Sequence, residues 1–422
     1  MKIYLDTIGC RLNQAEIEQM ARQFRAEGHS LVAAPAEADL VVVNTCAVTS
    51  EAAADSRQKI RRAARAGAGE IVVTGCWSTL QPQAAAELPN VVRVIPNAGK
   101  ERLVAETLGL EIPPFEREPL ERQILPGLHH RTRAFIKVQD GCDNACTFCI
   151  TTVARGAGIS RPAKEVLDDI EFALAGGAQE VVLTGVHLGS WGQDFGARLR
   201  DLIGEILQKT KTPRLRLSSL EPWDLDEAFF ALWQNPRLMP QLHLPLQSGS
   251  AATLKRMARK ITPPSFRQLV ETARRMIPGV AISTDIIAGF PGESEAEFAE
   301  TLAFVREMQF SAAHVFTYSP RPGTPAARMK NHLPLDLKKE RSAQLRQVTA
   351  LSAAAYRAAF LGQSLPVLWE SVTERGEAGW QMEGLSGNGL RVAAFSSQPR
   401  WNQIDQVRLV ALEGDLLRGE IR

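Results

Sequence analysis

The sequence predicts an α/β chain in three parts: an N-terminal parallel α/β domain, a central incomplete (β/α)6 barrel and a small C-terminal β-barrel. Three observations predict it. Short apolar runs alternate with helical stretches from Lys2 onward, the pattern of parallel βα units. Six of these units fall between Ala134 and Phe316, about 200 residues, too little chain for a closed eight-unit barrel. After Gly362 the helical texture gives way to five short strand-like runs separated by Gly, Ser and Asn. The expected boundaries are 1–110, a linker over 111–131, 132–355, and 356–422.

In the first part, Lys2–Ile8, Leu40–Val43, Ile71–Val73 and Val91–Ile95 read as strands. Asn13, with Glu16 three residues on, reads as the capping box of the first helix. Thr49 or Ser50 starts the second. That helix carries Arg57, Lys59, Arg61, Arg62 and Arg65, and positions 57, 61 and 65 share a face. Such a stripe is either a solvated face or a contact for phosphates.

Residues 111–133 hold Pro113, Pro114, Pro119 and Pro126 among many charges, as a linker does. Strands of the central part are predicted at Ala134–Val138, Glu180–Thr184, Arg214–Leu217, Leu242–Leu244, Ala281–Ile287 and Ala312–Phe316. Leu333–Phe360 reads as helix. The last five strands are expected at Val367–Glu370, Gly379–Met382, Leu390–Ala394, Gln406–Leu412 and Leu416–Ile421.

Composition is that of an ordinary globular chain, 45% hydrophobic and 23% charged. A net charge of +2 leaves any nucleic-acid surface to a local patch. No apolar run reaches the length of a membrane span, and Met-Lys-Ile-Tyr-Leu-Asp begins a strand, not a signal peptide. A cytoplasmic location is the default expectation, and disulfides are not expected among the six cysteines.

The cysteines form two sets of three. Cys142, Cys146 and Cys149 have C-x3-C-x2-C spacing. Three thiolates so close can each bind one iron of a cubane that normally takes four cysteines, leaving one iron open. Zinc would want a fourth Cys or His nearby to close its tetrahedron, and after Cys149 none appears before His187. Cys10, Cys46 and Cys76 are dispersed, with 35 and 29 residues between them, but each follows the end of a predicted strand. In a parallel sheet those ends share the edge where ligands bind. They are either buried core cysteines or a second, convergent cluster site.

Phe148 completes C-x3-C-x-aromatic-C, and this loop resembles that of the radical S-adenosylmethionine (SAM) enzymes. Thr7-Ile8-Gly9-Cys10-Arg11-Leu12-Asn13-Gln14, Val43-Asn44-Thr45-Cys46-Ala47-Val48-Thr49 and Val73-Thr74-Gly75-Cys76 resemble the three N-terminal motifs of the methylthiotransferases within that superfamily. So do His243–Ser250 and Tyr318–Ala326, and the likeness covers essentially the whole chain. It implies two 4Fe–4S clusters. One, on Cys142, Cys146 and Cys149, binds SAM and cleaves it to a 5′-deoxyadenosyl radical. An auxiliary one, on Cys10, Cys46 and Cys76, carries the sulfur to be inserted after methylation by another SAM. The resemblance assigns SAM contacts to Phe148, Thr184, Gly185, Ser219, Glu221, Gln247, Gly289 and Phe290. It likens the last sixty residues to the tRNA-binding TRAM domain, with Trp369, Trp380 and Trp401 available for stacking, and makes Arg57, Arg61 and Arg65 candidate RNA contacts.

The implied activity is methylthiolation of the adenosine 3′ of a tRNA anticodon. An electron donor such as a flavodoxin or ferredoxin, and no membrane, would be the further partners. Gly-Cys-Arg-Leu-Asn-Gln and Asn-Thr-Cys-Ala-Val-Thr resemble the branch acting on N6-threonylcarbamoyladenosine. The alternatives are the isopentenyladenosine branch and the branch that modifies a ribosomal-protein aspartate. A different class, a non-catalytic iron–sulfur RNA-binding protein or sensor, explains the cysteines but not the ordered strand-end motifs. The chain departs from the family after Cys149, where Ile150-Thr151-Thr152-Val153 replaces the usual Ile-Ile-Pro-Tyr.

Overall fold

The computed structural model describes residues 1–110, 132–374 and 379–422. The linker expected over 111–131 lies outside the described residues. The N-terminal sheet contains β1 (Lys2–Thr7), β2 (Ser30–Leu31), β3 (Leu40–Thr45), β4 (Glu70–Gly75) and β5 (Val91–Ile95), all parallel in the order β2-β1-β3-β4-β5. Alternation along β3 and β4 sends side chains to two cores. Val41, Val43, Ile71 and Val73 meet Ile60 of α2 (Ser50–Arg65) and Trp77 of α3 (Cys76–Leu80). Val42 and Val72 meet Ile17, Met20 and Phe24 of α1 (Arg11–Ala26) on the other side.

The register pairs Thr7 with Asn44 and Thr45 with Gly75, so β1, β3 and β4 end level. Thr49 caps α2, its hydroxyl accepting from the Ala52 amide at 3.0 Å. The expected Asn13 capping box is not present. Helix α1 already starts at Arg11 with Cys10 in the cap position, and Asn13 and Glu16 are buried one turn inside it. Asn13 is a tie between strand ends, its amide donating to the Ile8 and Thr45 carbonyls at 2.7 and 3.1 Å. Two short helices, α4 (Pro82–Ala86) and α5 (Leu103–Leu108), complete the domain.

The central part has six parallel strands in two runs of three. β6 (Arg133–Lys137), β9 (Glu180–Thr184) and β10 (Arg214–Leu217) form one, after the small pair β7 (Gln139–Asp140) and β8 (Ile159–Ser160) is set aside. β11 (Gln241–His243), β12 (Ala281–Ala288) and β13 (Ala312–Thr317) form the other. Bridges from Leu215 to Leu238 and from Ser219 to His243 join the runs into one open, barrel-like wall. After the short α6 (Thr151–Arg155) come α7 (Ala163–Ala175), α8 (Leu199–Lys209), α9 (Glu227–Phe230), α10 (Ala251–Arg256), α11 (Pro263–Met276), α12 (Glu295–Met308) and α13 (Leu335–Ala358). Apolar faces of α7, α8, α11 and α12 close the core on Val181, Leu183, Leu215, Ile282 and Ile286.

The last strands, β14 (Ser364–Glu374), β15 (Trp380–Ser386), β16 (Arg391–Ser396), β17 (Ile404–Glu413) and β18 (Leu416–Ile421), close into a barrel. It docks at the N-terminal ends of the central strands. Arg214 at the start of β10 donates to the Leu385 carbonyl at 3.1 Å, Arg216 to that of Ser386 at 3.2 Å, and Arg133 pairs with Glu370 at 2.5 Å. Trp369 is not the stacking residue expected from the sequence. Its indole is fully buried in this barrel's core and donates to Asp405 at 2.7 Å, so no face is left for a base to stack on. Trp380 and Trp401 keep partial exposure.

Candidate active site

The three N-terminal cysteines stand together because the sheet register puts them there. Cys10 follows β1, Cys46 follows β3 and Cys76 opens α3 directly after β4. Two glycines make the close approach possible. A Cβ on Gly9 (φ +104°) would stand 2.6 Å from the Cys46 sulfur, and one on Gly75 (φ +102°) 2.3 Å from the Thr45 carbonyl oxygen. Cys10 is exposed, whereas Cys46 and Cys76 are buried. Burial, with smaller contributions from Cys10 and Cys76, pushes the Cys46 thiol up to about 11. The Asn13 side-chain oxygen lies 3.7 Å from the Cys10 sulfur, and the Asn97 amide 3.7 Å from that of Cys76.

The second triad lies in the loop after β7, at the C-terminal end of the central strands, where α/β barrels place their chemistry. The loop is clamped on all sides. Thr147 bonds the Met257 and Arg256 carbonyls and accepts from the Ala326 amide at 2.8 Å. The Cys142 amide donates to Gly156, and the Asn144 amide points at the Cys142 sulfur at 3.4 Å. Arg259 reaches the Cys146 sulfur at 3.7 Å, grips Glu221 through two nitrogens at 3.3 and 2.7 Å, and stacks over Trp223 at 4.5 Å. His187 is held between Asn144 at 3.2 Å and Asp224 at 2.6 Å.

Among the described residues no three Cys, His, Asp or Glu side chains close on one point as the ligands of a single ion would. In a cubane each cysteine takes its own iron, so the three sulfurs of a triad need only face one space.

The remaining predicted SAM contacts divide. Gly185 packs on Gln139, which also receives the His187 amide, and Ser219 and Glu221 follow β10 at the same end. Gln247 is buried at φ +70° and bonds Asp285 and Ile287 of β12 through its backbone. The Thr184 hydroxyl faces the Ile136 carbonyl at 3.3 Å inside the sheet. The amides of Gly289 and Phe290 both donate to the Glu293 carboxylate, at 2.6 and 3.1 Å. The Phe290 ring is buried with Met257, Tyr318 and Ala326, and Phe148 packs against that cluster.

Sequence reasoning missed Arg259, Trp223, His187 and Asp224. Only His187, two residues beyond a predicted strand-end glycine, carried a usable signal. It also missed the seam between the two triads. Helix α6, six residues and fewer beyond Cys149, is inserted into the N-terminal domain, with Ala154 in that domain's core and its carbonyl accepting from Asn97 at 2.8 Å. Arg155 crosses to Asn13 at 2.8 Å and Glu16 at 2.9 Å, and Ser50 meets Ser319 at 3.5 Å. The cysteine edge of the N-terminal sheet thus faces the open end of the partial barrel.

Residues 136–305 match the Radical SAM superfamily and residues 2–96 the family described as Uncharacterized protein family UPF0004. The threonylcarbamoyladenosine tRNA methylthiotransferase MtaB of Thermotoga maritima is 35% identical over 99% of this chain and 98% of its own length. This chain belongs to the radical SAM methylthiotransferases. The Bacillus subtilis protein of the same description is 34% identical over 96% of this chain and 92% of its own. The tRNA-2-methylthio-N(6)-dimethylallyladenosine synthase of Cereibacter sphaeroides is also 34% identical, over 99% and 98%. Among solved structures, the radical SAM methyltransferase TsrM of Kitasatospora setae shares the fold of this methylthiotransferase, with TM-score 0.60 over 77% of this chain and 75% of that one at 16% identity. Family membership brings SAM and a 4Fe–4S cluster to the methylthiotransferase. No helix among its described residues is long and apolar enough to cross a membrane.

Proposed function

We propose that the protein methylthiolates C2 of N6-threonylcarbamoyladenosine next to the tRNA anticodon, at position 37. The observation that carries this is the apposition of two cysteine triads across the seam made by α6. When bound, the cluster and SAM supply a carbon radical that takes hydrogen from the target C–H, and a second 4Fe–4S cluster on Cys10, Cys46 and Cys76 supplies the methylated sulfur. The chain's own part is positional. The clamped loop holds Cys142, Cys146 and Cys149, Arg259 and Glu221 fix one flank, and the level strand ends hold the other triad opposite.

The same reading makes 1–110 the sulfur-carrying domain, 132–355 the radical domain and 356–422 an RNA-binding barrel. The anticodon stem-loop would be met by Arg57, Arg61 and Arg65 on α2. Arg61 and Arg65 are exposed, and Arg57 is half-buried over the Trp77 ring at 5.8 Å. A flavodoxin or ferredoxin would supply the electron. Identity alone does not choose between the threonylcarbamoyl and dimethylallyl substrates, since relatives of both descriptions are 34–35% identical. The Gly9-Cys10-Arg11-Leu12-Asn13 motif favours the first. Nucleoside analysis of tRNA from a deletion strain tests this. The methylthio form of threonylcarbamoyladenosine is expected to vanish and its unthiolated precursor to accumulate; unchanged tRNA would overturn the assignment.

A further inference from the structure

The Cys10–Cys46–Cys76 site is bordered by a buried charge network that neither the fold nor a single-domain core requires. Glu16, on α1, is 2% exposed and takes Lys100 at 2.8 Å and Arg155 at 2.9 Å, with Lys137 at 4.0 Å. Arg155, also 2% exposed, reaches Asp140 at 2.9 Å and, through a second nitrogen, the Asn13 oxygen at 2.8 Å. That oxygen is the one facing the Cys10 sulfur. Lys100 donates on to Asn44 at 3.2 Å, next to the end of β3 that leads into Cys46. Lys137 also meets Asp140 at 3.4 Å and the largely exposed Glu101 at 3.4 Å, so three cations meet three carboxylates, of which Glu101 is open to solvent screening; the shielded part of the network holds three cations and two carboxylates.

Burying unmatched charge is costly unless something opposite completes it. A cubane with a 2+ core held by three thiolates has a net charge of about −1, opposite in sign to the shielded side of this network. The arginine comes from the radical domain, on the helix directly after its cluster loop, while Glu16 and Lys100 come from the N-terminal domain. Ala154 beside it is packed into the N-terminal core.

We infer that Arg155 is a positioning residue of the radical domain that supplies counter-charge to the N-terminal cluster site, with Glu16 setting the balance. The inference rests on the two-cluster reading above. It makes completion of the N-terminal site depend on docking of the radical domain.

The test uses full-length protein carrying Cys142→Ala, Cys146→Ala and Cys149→Ala, so that a single cluster is read, in an EPR-monitored redox titration after anaerobic reconstitution. Arg155→Met is expected to move the midpoint to more negative potential, because a lost positive charge disfavours the added electron. Arg155→Lys is expected to keep the parent potential. Glu16→Gln is expected to move it the other way, to more positive potential. A purely structural role would move the Arg155→Met and Glu16→Gln variants in the same direction or not at all, and either result overturns the inference. If Arg155→Met binds no iron, the opposite shift of Glu16→Gln and the unchanged potential of Arg155→Lys decide. A parent protein without iron sinks the two-cluster reading itself, which is a separate outcome.

Discussion

Replacing Glu180 with Gln should loosen the seam between the central and C-terminal barrels. Glu180 opens β9 and is fully buried, as its partners Arg216 and Arg214 nearly are. Its carboxylate receives Arg216 through two nitrogens at 2.7 and 3.0 Å, and Arg214 lies at 2.9 Å. Burial alone would raise the Glu180 pKa, but Arg216 and Arg214 outweigh it and hold the group at about 2 instead of 4.5. A depressed carboxylate contributes stability that is present above the ordinary pKa and is lost as pH falls through the folded one. Here the separation corresponds to about 3 kcal/mol at neutral pH. An independent route gives a similar figure, since removing one partner of a buried ion group costs about 3–5 kcal/mol. Burial, with the neighbouring Arg216, pushes Arg214 down to about 10, still far above the acid window, so in the variant Arg214 and Arg216 would face each other without the carboxylate between them. The same guanidiniums donate to the Leu385 and Ser386 carbonyls of β15. Urea unfolding of wild type and Glu180→Gln, followed from pH 7 to pH 3, should show the variant weaker by about 3 kcal/mol at pH 7. The gap should narrow below pH 4.5, as Glu180 of the unfolded chain takes up a proton while the folded group stays ionised down to about pH 2. A gap under about 1 kcal/mol at pH 7, the size of an exposed pair, or one that does not change with pH, would refute the reasoning.

Trp369→Ala should destabilise the C-terminal barrel by about 3–5 kcal/mol in the same unfolding assay, as loss of a buried aromatic core residue does; a change below 1 kcal/mol would return Trp369 to the surface. Glu221→Gln breaks the two-nitrogen grip of Arg259 and should raise the KM for SAM about tenfold or more with iron content unchanged, tenfold being about 1.4 kcal/mol. Loss of iron at unchanged KM would instead make the pair a support of the cluster loop. Substituting Arg57, Arg61 and Arg65 with Gln should weaken tRNA binding and flatten its dependence on log salt by about two to three units. An unchanged slope would leave the stripe as a solvated face.

Much of the architecture was legible because its signals are local. Apolar runs such as Leu40–Val43 and Ala281–Ile287 marked parallel strands within a residue or two, and the three-part fold followed from their spacing. The convergence of Cys10, Cys46 and Cys76 was legible too, since strand ends in a parallel sheet share an edge. What failed depended on partners far along the chain. Asn13 and Glu16 fit a capping box by spacing, but Cys10 starts the helix and Glu16 is claimed by Lys100 and by Arg155, 139 residues away. Trp369 was a stacking candidate as one of the few aromatics of the TRAM-like tail, and nothing local showed that its face turned inward to Asp405. Arg259 has no motif; its role arises only when the turn after α10 brings it over Trp223 and against Cys146. The departure at Thr151-Thr152-Val153 still forms a helical turn, α6, and that turn delivers Arg155 to the seam.

The central claim is that two separate triads each hold a 4Fe–4S cluster. Anaerobic iron and sulfide quantification, on wild type and on the variant with Cys142, Cys146 and Cys149 all replaced by Ala, tests it most directly. Two clusters in the wild type and one in the variant are expected. A variant that holds no iron would make Cys10, Cys46 and Cys76 core residues, and the sulfur-insertion chemistry would fall with them.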